Sequence, residues 1–562
     1  MKPWQFLRRN FPVLVVSIAY LWAAVAIFSY RAKQAPPGTK VTLRIGHWQL
    51  EPGVRDGFNA LAAEYQKLHP EVYIVQDAVP ESTYSQWLTT QVMGGTASDI
   101  IEAGLLSPAL LLSYHSRYFL PLNNYVNQPN PYNAGTALAG APWRNTFKDG
   151  MRAGYIEELQ AYMAVPLAQF AYRIVYNRDL YFKLTGRTTP PRDYRDFISI
   201  CGQIQRQRDD HDRPYIPIAA SSYHIGMWDS TMCEPLTFAA LRQLDFNRDG
   251  TVGADEFFTG IATHRIGLDF PPFAARFQML RELTQFMPVG VTGLSRDEAV
   301  FLFAQQRSVF ITSGTWDAQS LREQARGTFD VGVLDFPLPA RNDPEFGQIL
   351  EGPVYDRTFA GMPFVITRTC KHPEVALDFL QFLTSQRGNT EFNRHIGWIP
   401  SIRGSEMPPA LAGYEPHFEG VYGAMPLTLG GDTNVKWQQL LALFLINQID
   451  YPAMTAQYLA YYRDHAPKEF AELQQDNQRV TIREEQLMAG LRARAMLEDA
   501  KNPTAAWIRY RQLETDRLLV RDLRPSLLAK LVSDGPVTNA PAPYEISPAA
   551  LANVRRQLGG HR

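Results

Sequence analysis

A chain of 562 residues can bury a large core and is expected to hold more than one globular unit. Its 45% apolar, 20% charged and 12% aromatic content is that of an ordinary folded protein. The 55 basic and 56 acidic residues almost cancel, which leaves no electrostatic footprint for nucleic acid. The three cysteines, Cys201, Cys233 and Cys370, stand far apart without CxxC spacing, so they read as small buried hydrophobes and not as a zinc or disulfide framework.

The N-terminus comes first in chain order. Lys2, Arg8 and Arg9 precede residues 11–30, which carry no charge. At about 1.5 Å per residue, such a helix spans a hydrocarbon core about 30 Å thick. Positive charge ahead of it favours a cytoplasmic N-terminus and an exported remainder, although Arg31 and Lys33 reduce the asymmetry. No small-x-small cleavage site follows, so the segment reads as an uncleaved membrane anchor, with residues 1–38 forming stub, anchor and a stiff Ala35-Pro36-Pro37-Gly38 spacer.

Residues 41–45 alternate as a strand, with His47-Trp48-Gln49 at its end. Phe58, Leu61, Ala62, Tyr65 and Leu68 recur on one helix face before His69-Pro70. A second strand over 72–75, a helix over 84–93 stopped by Gly94-Gly95, and a short strand beginning at Asp99 follow. Strand and helix alternate, which predicts a parallel sheet covered on both faces. Farther on, Val175-Tyr176-Asn177-Arg178-Asp179-Leu180 leaves a strand, Pro190-Pro191-Arg192-Asp193-Tyr194 enters a helix, and Pro217-Ile218-Ala219-Ala220 ends in a Ser-rich loop.

Residues 245–256 match a twelve-residue EF-hand loop. Asp245, Asn247 and Asp249 offer side-chain oxygens at positions 1, 3 and 5, Gly250 permits the bend at 6, Thr251 gives its carbonyl at 7, and Glu256 closes the shell at 12. Apolar faces on either side (Leu236, Ala239, Ala240 and Leu244; Phe257, Phe258 and Ile261) supply the entering and leaving helices, within an insertion over about 235–265. A single loop is expected to hold Ca²⁺ as a structural clip and not as a sensor.

From Ala299 onward a helix, a buried strand, the turn Ser313-Gly314-Thr315-Trp316, further strands, and a Pro-started amphipathic helix succeed one another, closing on His395-Ile396-Gly397-Trp398-Ile399-Pro400-Ser401. The order of these pieces, with the Tyr84 to Gln91 helix and the Gly94-Gly95-x-x-x-Asp99 turn, resembles the extracellular solute-binding proteins of ABC importers, in the family that includes the maltodextrin-binding type. The resemblance covers roughly residues 41–405. It implies an α/β, two-lobe periplasmic-binding-protein fold (type II-like) whose discontinuous lobes comprise 41–165 plus about 335–395 and 166–334 plus about 396–430. It implies crossings near Val165-Pro166 and near 334–337, a hinge, and a carbohydrate bound in the crevice and delivered to ABC permease subunits.

A sugar shows apolar faces and a rim of hydroxyls, so aromatic rings and fixed polar groups after strands are the candidates for contacting it. They are Trp48, Glu81, Tyr84, Asp99, Gln169, Tyr223, Trp228, Thr315, Trp316 and Trp398. By resemblance, Trp316 and the 223–228 loop match positions where maltodextrin-type receptors stack sugar rings. Gln169 and Phe170 fall where that type places a carboxylate, and no acid stands there.

From about 432 the pattern turns helical, with Trp437, Leu440, Leu441, Phe444 and Leu445 on one face, giving a helical extension over 431–535 expected to pack on the C-terminal lobe. Residues 536–562, rich in Pro and Ala, read as a disordered tail. No GxSxG, HExxH, GK[ST] or GxGxxG motif is present, and Glu157-Glu158 and Glu484-Glu485 read as solvated helix faces, so no enzyme activity is expected. The alternatives are a membrane-anchored glycan-processing enzyme, or a ligand sensor acting through a partner.

Overall fold

The computed structural model describes residues 35–535, except 51, 107, 249, 357–358, 424–425, 499–502 and 519–522. The expected anchor over 11–30 and tail over 536–562 lie outside the described residues. Among the described residues no helix is long and apolar enough to cross a membrane.

Two sheets organise the chain. The first comprises β1 (Val41–His47), β2 (Val72–Ala78), β3 (Ile100–Glu102), β4 (Val165–Phe170), β9 (Phe359–Ile366) and β10 (Ile399–Pro400), in the order β10-β4-β9-β3-β1-β2. The second comprises β5 (Tyr172–Asn177), β6 (Ile216–Ala219), β7 (Ser308–Gly314) and β8 (Val331–Leu334), in the order β8-β5-β7-β6. β1 runs parallel to β2 and β3, as the alternation predicts, but β9, β4 and β10 are antiparallel neighbours, so the sheet is mixed.

Helix Pro52–Leu68 buries Phe58, Leu61 and Tyr65 against Leu43 and Ile45 of β1, the face that the spacing predicts. In the second lobe Ile174, Ile218 and Phe310 of the sheet pack with Phe197 and Trp228. Local signals fix the helix starts. The Asn177 side chain accepts from Leu180 N at 2.9 Å to cap helix Arg178–Thr185, which ends at Gly186 with φ of 71°. Asp193 caps Tyr194–Gln205 in the same way, accepting from Asp196 N at 2.9 Å.

The chain passes between the sheets at Ala171. This lies beyond the Val165-Pro166 position that the resemblance implies, because all of Val165–Phe170 pairs with Phe359–Ile366 in the first sheet. Ile399–Pro400 also pairs with β4, so the backbone of this segment joins the first sheet, while the Ile399 side chain enters the second lobe's apolar cluster. A second crossing runs through 335–358, and a third precedes the 3-10 turn Pro409–Tyr414, whose Leu411 and Tyr414 join the second lobe's apolar cluster.

The extension consists of helices Gly431–Leu445, Tyr451–Glu498, Pro503–Arg517 and Arg524–Asp534. The 48 residues of Tyr451–Glu498 make a rod about 70 Å long. It packs on both lobes, not on the C-terminal lobe alone.

Under this rod, in helix Pro108–Tyr118, His115 is only 4% exposed and its Nδ1 has no hydrogen-bond partner. Burial pushes its pKa from 6.5 down to about 3, so it is neutral in the folded protein. The unfolded chain takes up this proton near pH 6.5 and the folded chain only near 3, so the stability held above pH 6.5 is lost as pH falls. About 2 kcal/mol should be lost from this group by pH 5. Urea midpoints at pH 7 and pH 5 should therefore converge in His115→Leu relative to the native chain.

Candidate functional site

In parallel α/β sheets the free space lies beyond the carboxyl ends of the strands. Here those ends supply Trp48, Gln49 and Glu102 from the first lobe, and Thr315, Trp316 and the 220–223 loop from the second. The crossing itself contributes residues 169–172. Phe170 meets Trp316 edge-on at 4.7 Å between ring centroids and Trp398 at 5.1 Å, while Tyr172 meets Trp316 at 5.7 Å. The indole of Trp316 lies so close over Gly314 that a Cβ there would stand 2.3 Å from the ring. Gly104 is likewise needed beneath Trp48, where a Cβ would come within 2.7 Å of the indole.

Buried polar groups without partners lie on the same elements as these rings. Gln169 is 1% exposed, and neither its Oε1 nor its Nε2 makes a hydrogen bond. Thr315 Oγ1 and Arg296 Nε are buried and unpartnered as well. Leaving such a group unsatisfied costs about 1–3 kcal/mol, which a ligand can recover by bonding to it. One charge pair lies nearby, Arg296 with Asp317, whose other oxygen accepts from Ser313 Oγ at 3.0 Å, and the buried Glu102 Oε1 accepts from Gln49 Nε2 at 3.1 Å.

Tyr223 is 43% exposed and lies beneath the Arg296 guanidinium, 5.8 Å from its ring centroid. Partial burial pushes its hydroxyl up to about 12, opposed by Arg296 and reinforced by the carboxylates of Asp317 and Glu81. Glu81 belongs to the first lobe and Tyr223 to the second, so the lobes face each other across this rim. Next to Tyr223, His224 Nδ1 and Ser221 Oγ are 2.8 Å apart, and burial lowers the imidazole to about 4, leaving it neutral. On the other flank of the crossing, a cavity of about 650 Å³ is lined by Arg173, Asp335, Phe336, Asp356, His417 and Phe418.

The sequence matches the family model described as bacterial extracellular solute-binding protein over residues 60–418. The chain belongs to that family. Among solved structures, a chitin oligosaccharide binding protein shares the fold of this solute-binding protein at 15% identity, with 75% of this chain and 98% of that chain covered and a TM-score of 0.52. A structure reported with xylan utilization by the thermophilic bacterium Caldanaerobius polysaccharolyticus matches at 16% identity, 75% and 99% coverage and a TM-score of 0.51. The maltose-bound MalE3 of T. maritima matches at 16% identity, with the same coverages and a TM-score of 0.50. No curated protein sequence matches the chain.

Three expected contacts fall outside the cleft of this solute-binding protein. Tyr84 is fully buried and donates to Glu102 O at 2.8 Å and Gly46 O at 3.2 Å, so it braces two strands from the core. Trp228 is sealed against Phe197 and Phe336 at 5.5 and 5.1 Å. Asp99 precedes β3 and accepts from Arg44 N at 2.9 Å, which places it at the amino end of a strand whose carboxyl end meets the cleft. Trp316 and Trp398 meet through Phe170, Tyr223 lies under Arg296 within electrostatic reach of Glu81, Trp48 packs on Tyr84 in the first lobe, and Gln169 and Thr315 stand at the ends of strands at the crossing. Sequence reading passed over Tyr172 and Arg296. Tyr172 had a signal in the Phe-Ala-Tyr run flanking the crossing, whereas Arg296 is brought in only by the turn of helix Arg296–Ala304.

The 245–256 loop joins helices Phe238–Leu244 and Ala254–Ala262. Gly250 takes φ of +86° and donates its N–H to Asp245 Oδ2 at 2.9 Å, which curls the loop around its first acid. Glu256 is buried and turns back into the loop, accepting from Phe246 N and Gly253 N, both at 3.0 Å. From the C-terminal extension, Arg524 Nη2 stands 2.8 Å from Asp255 Oδ1 and 3.5 Å from Glu256 Oε2. Among the described residues no three His, Cys, Asp or Glu side chains converge as a metal site, and Asp249 lies outside the described residues.

Proposed function

We propose that this solute-binding protein captures a carbohydrate between its lobes, outside the cell membrane, and delivers it unaltered to the permease subunits of an ABC importer. The observation that carries this reading is the aromatic cluster at the crossing, where Phe170 and Tyr172 meet Trp316 and Phe170 meets Trp398, on elements that also carry the unpartnered polar side chains of Gln169 and Thr315. Hydroxyls bond to the first set, and the CH faces of a sugar cover the second. Matched charges at Arg296 and Asp317 favour a neutral solute. The solved structures that resemble the chain concern chitin oligosaccharide, xylan and maltose, which supports the same class. Residues 11–30 would tether the receptor to the membrane.

Gln169→Leu separates binding from folding. Removing a buried amide that has no partner should leave the ligand-free protein as stable or more stable. The same change should weaken carbohydrate binding at least tenfold, because a hydroxyl then faces an apolar group. Thermal melting of the free protein and calorimetric titration with chito-, xylo- and malto-oligosaccharides measure both effects. A variant that melts lower and binds equally well sinks the assignment.

The reading also gives the 245–256 loop a Ca²⁺ ion, held by Asp245, Asn247, Asp249, Thr251 and Glu256. Carboxylates at both loop ends that already face inward support this, as does the bend at Gly250. The leaving helix packs Phe257 and Phe258 against Tyr462 and Phe470 of the extension, so the ion would clip the extension to the second lobe. Calcium at 100 times its Kd should add about 2.7 kcal/mol of stability, lost in EGTA. An unchanged Tm after chelation would remove calcium from the account.

A further inference from the structure

The first half of helix Tyr451–Glu498 is part of the second lobe. Met454, Tyr458, Tyr462, Ala466 and Leu473 are buried in the same apolar core as Ile174 and Phe310. Tyr451 and Tyr458 donate to Leu268 O and Leu427 O, each at 2.6 Å. Glu469 accepts from Asp432 N at 2.7 Å and Thr433 N at 3.1 Å, tying the rod to the start of helix Gly431–Leu445.

Less than one turn beyond Leu473, the same helix belongs to the first lobe. Asp476 Oδ1 accepts from Ser116 Oγ at 2.8 Å, and Arg483 Nη1 donates to Phe119 O at 2.9 Å. Between them Val480 is fully buried among Tyr84, Leu88 and Phe119. The boundary between the lobes is therefore spanned by uninterrupted helix. Helices bend sharply at Pro, Gly or π-bulges, and residues 470–483 contain neither Pro nor Gly. Pro467, the proline inside this helix, falls where both flanks are docked on the second lobe, through Ala466 and Phe470.

We infer that helix Tyr451–Glu498 is a strap that restrains rotation of one lobe against the other. The crossings at Ala171 and through 335–356 contain no α-helix and can change direction through a few backbone dihedrals. A helix keeps its direction, so rotation of the lobes must break either the 454–473 contacts or the 476–483 contacts. The lobes consequently sample a narrow range of openings, and the solute reaches the cleft by a small excursion. This holds whichever solute the cleft takes.

The test is a distance distribution between the lobes of the full chain. Spin labels at Met93→Cys and Phe182→Cys, exposed positions on the first and second lobes, report it, and the native cysteines are buried. The native chain should give one narrow population by double electron–electron resonance. Asp476→Ala combined with Arg483→Gln, and separately Val480→Asp, should at least double its width. Because Val480→Asp also burdens the first lobe's core, the double variant decides the question if the aspartate variant does not fold. A native distribution already broad, or a folded double variant with the native width, overturns the strap.

Discussion

Arg173→Ala is expected to destabilise the protein by about 3–5 kcal/mol, the range for removing one partner of a buried ion pair. Arg173 is 1% exposed on β5, two residues past the first crossing. Its Nη2 donates to Asp356 Oδ2 at 2.8 Å and to Glu415 O at 2.5 Å, its Nη1 donates to Tyr172 O at 2.6 Å, and its Nε lies 2.8 Å from Asp335 Oδ1. One guanidinium thus holds together the strand leaving the first crossing, both ends of the second crossing and the segment after the third. Alanine leaves Asp356 buried with the His417 N–H at 2.8 Å but no cation. Lysine keeps the charge but cannot reproduce the fork, so Arg173→Lys should fall between the two. Urea unfolding at constant slope measures the difference, and a loss under about 1 kcal/mol for the alanine variant would contradict the role given to Arg173.

Two tryptophans should respond in opposite ways. Trp228→Ala removes a fully buried indole from the second lobe's core, at a cost of about 3–5 kcal/mol, and should weaken binding only through loss of folded protein. Trp316→Ala removes a partly exposed ring from the crossing and should change stability by less than about 1 kcal/mol. Its effect should appear in carbohydrate affinity, as a loss of at least tenfold, or about 1.4 kcal/mol. Equal melting temperatures for the two variants would contradict this division.

Both residues follow strands and are aromatic, which is why sequence alone places them together. Their difference lies in what each strand's end becomes. Trp228 ends the helix Ser222–Trp228, turned inward toward Phe197, whereas Trp316 sits in the single turn Thr315–Asp317 over a glycine. Tyr84 carried a readable warning, because Tyr84, Leu88 and Val92 repeat every four residues and all three are buried. Helix starts at Asn177 and Asp193 were legible because a cap is a contact between near neighbours. The resemblance places the first crossing near Val165-Pro166, whereas pairing with different sheets divides 165–170 from 172–177 at Ala171, a division that depends on partners distant in the chain. The span of the extension across both lobes was not legible at all, since an apolar helix face does not state which partner it covers.

On the proposed function, a carbohydrate occupies the cleft at the crossing, against Trp316 and within reach of Thr315. Isothermal titration with chito-, xylo- and malto-oligosaccharides, run in parallel on the native protein and on Trp316→Ala, decides whether it does. The native chain should show saturable one-to-one binding of at least one series, weakened at least tenfold in the variant. Binding of equal strength in both would contradict it, as would oligosaccharide cleavage during the titration.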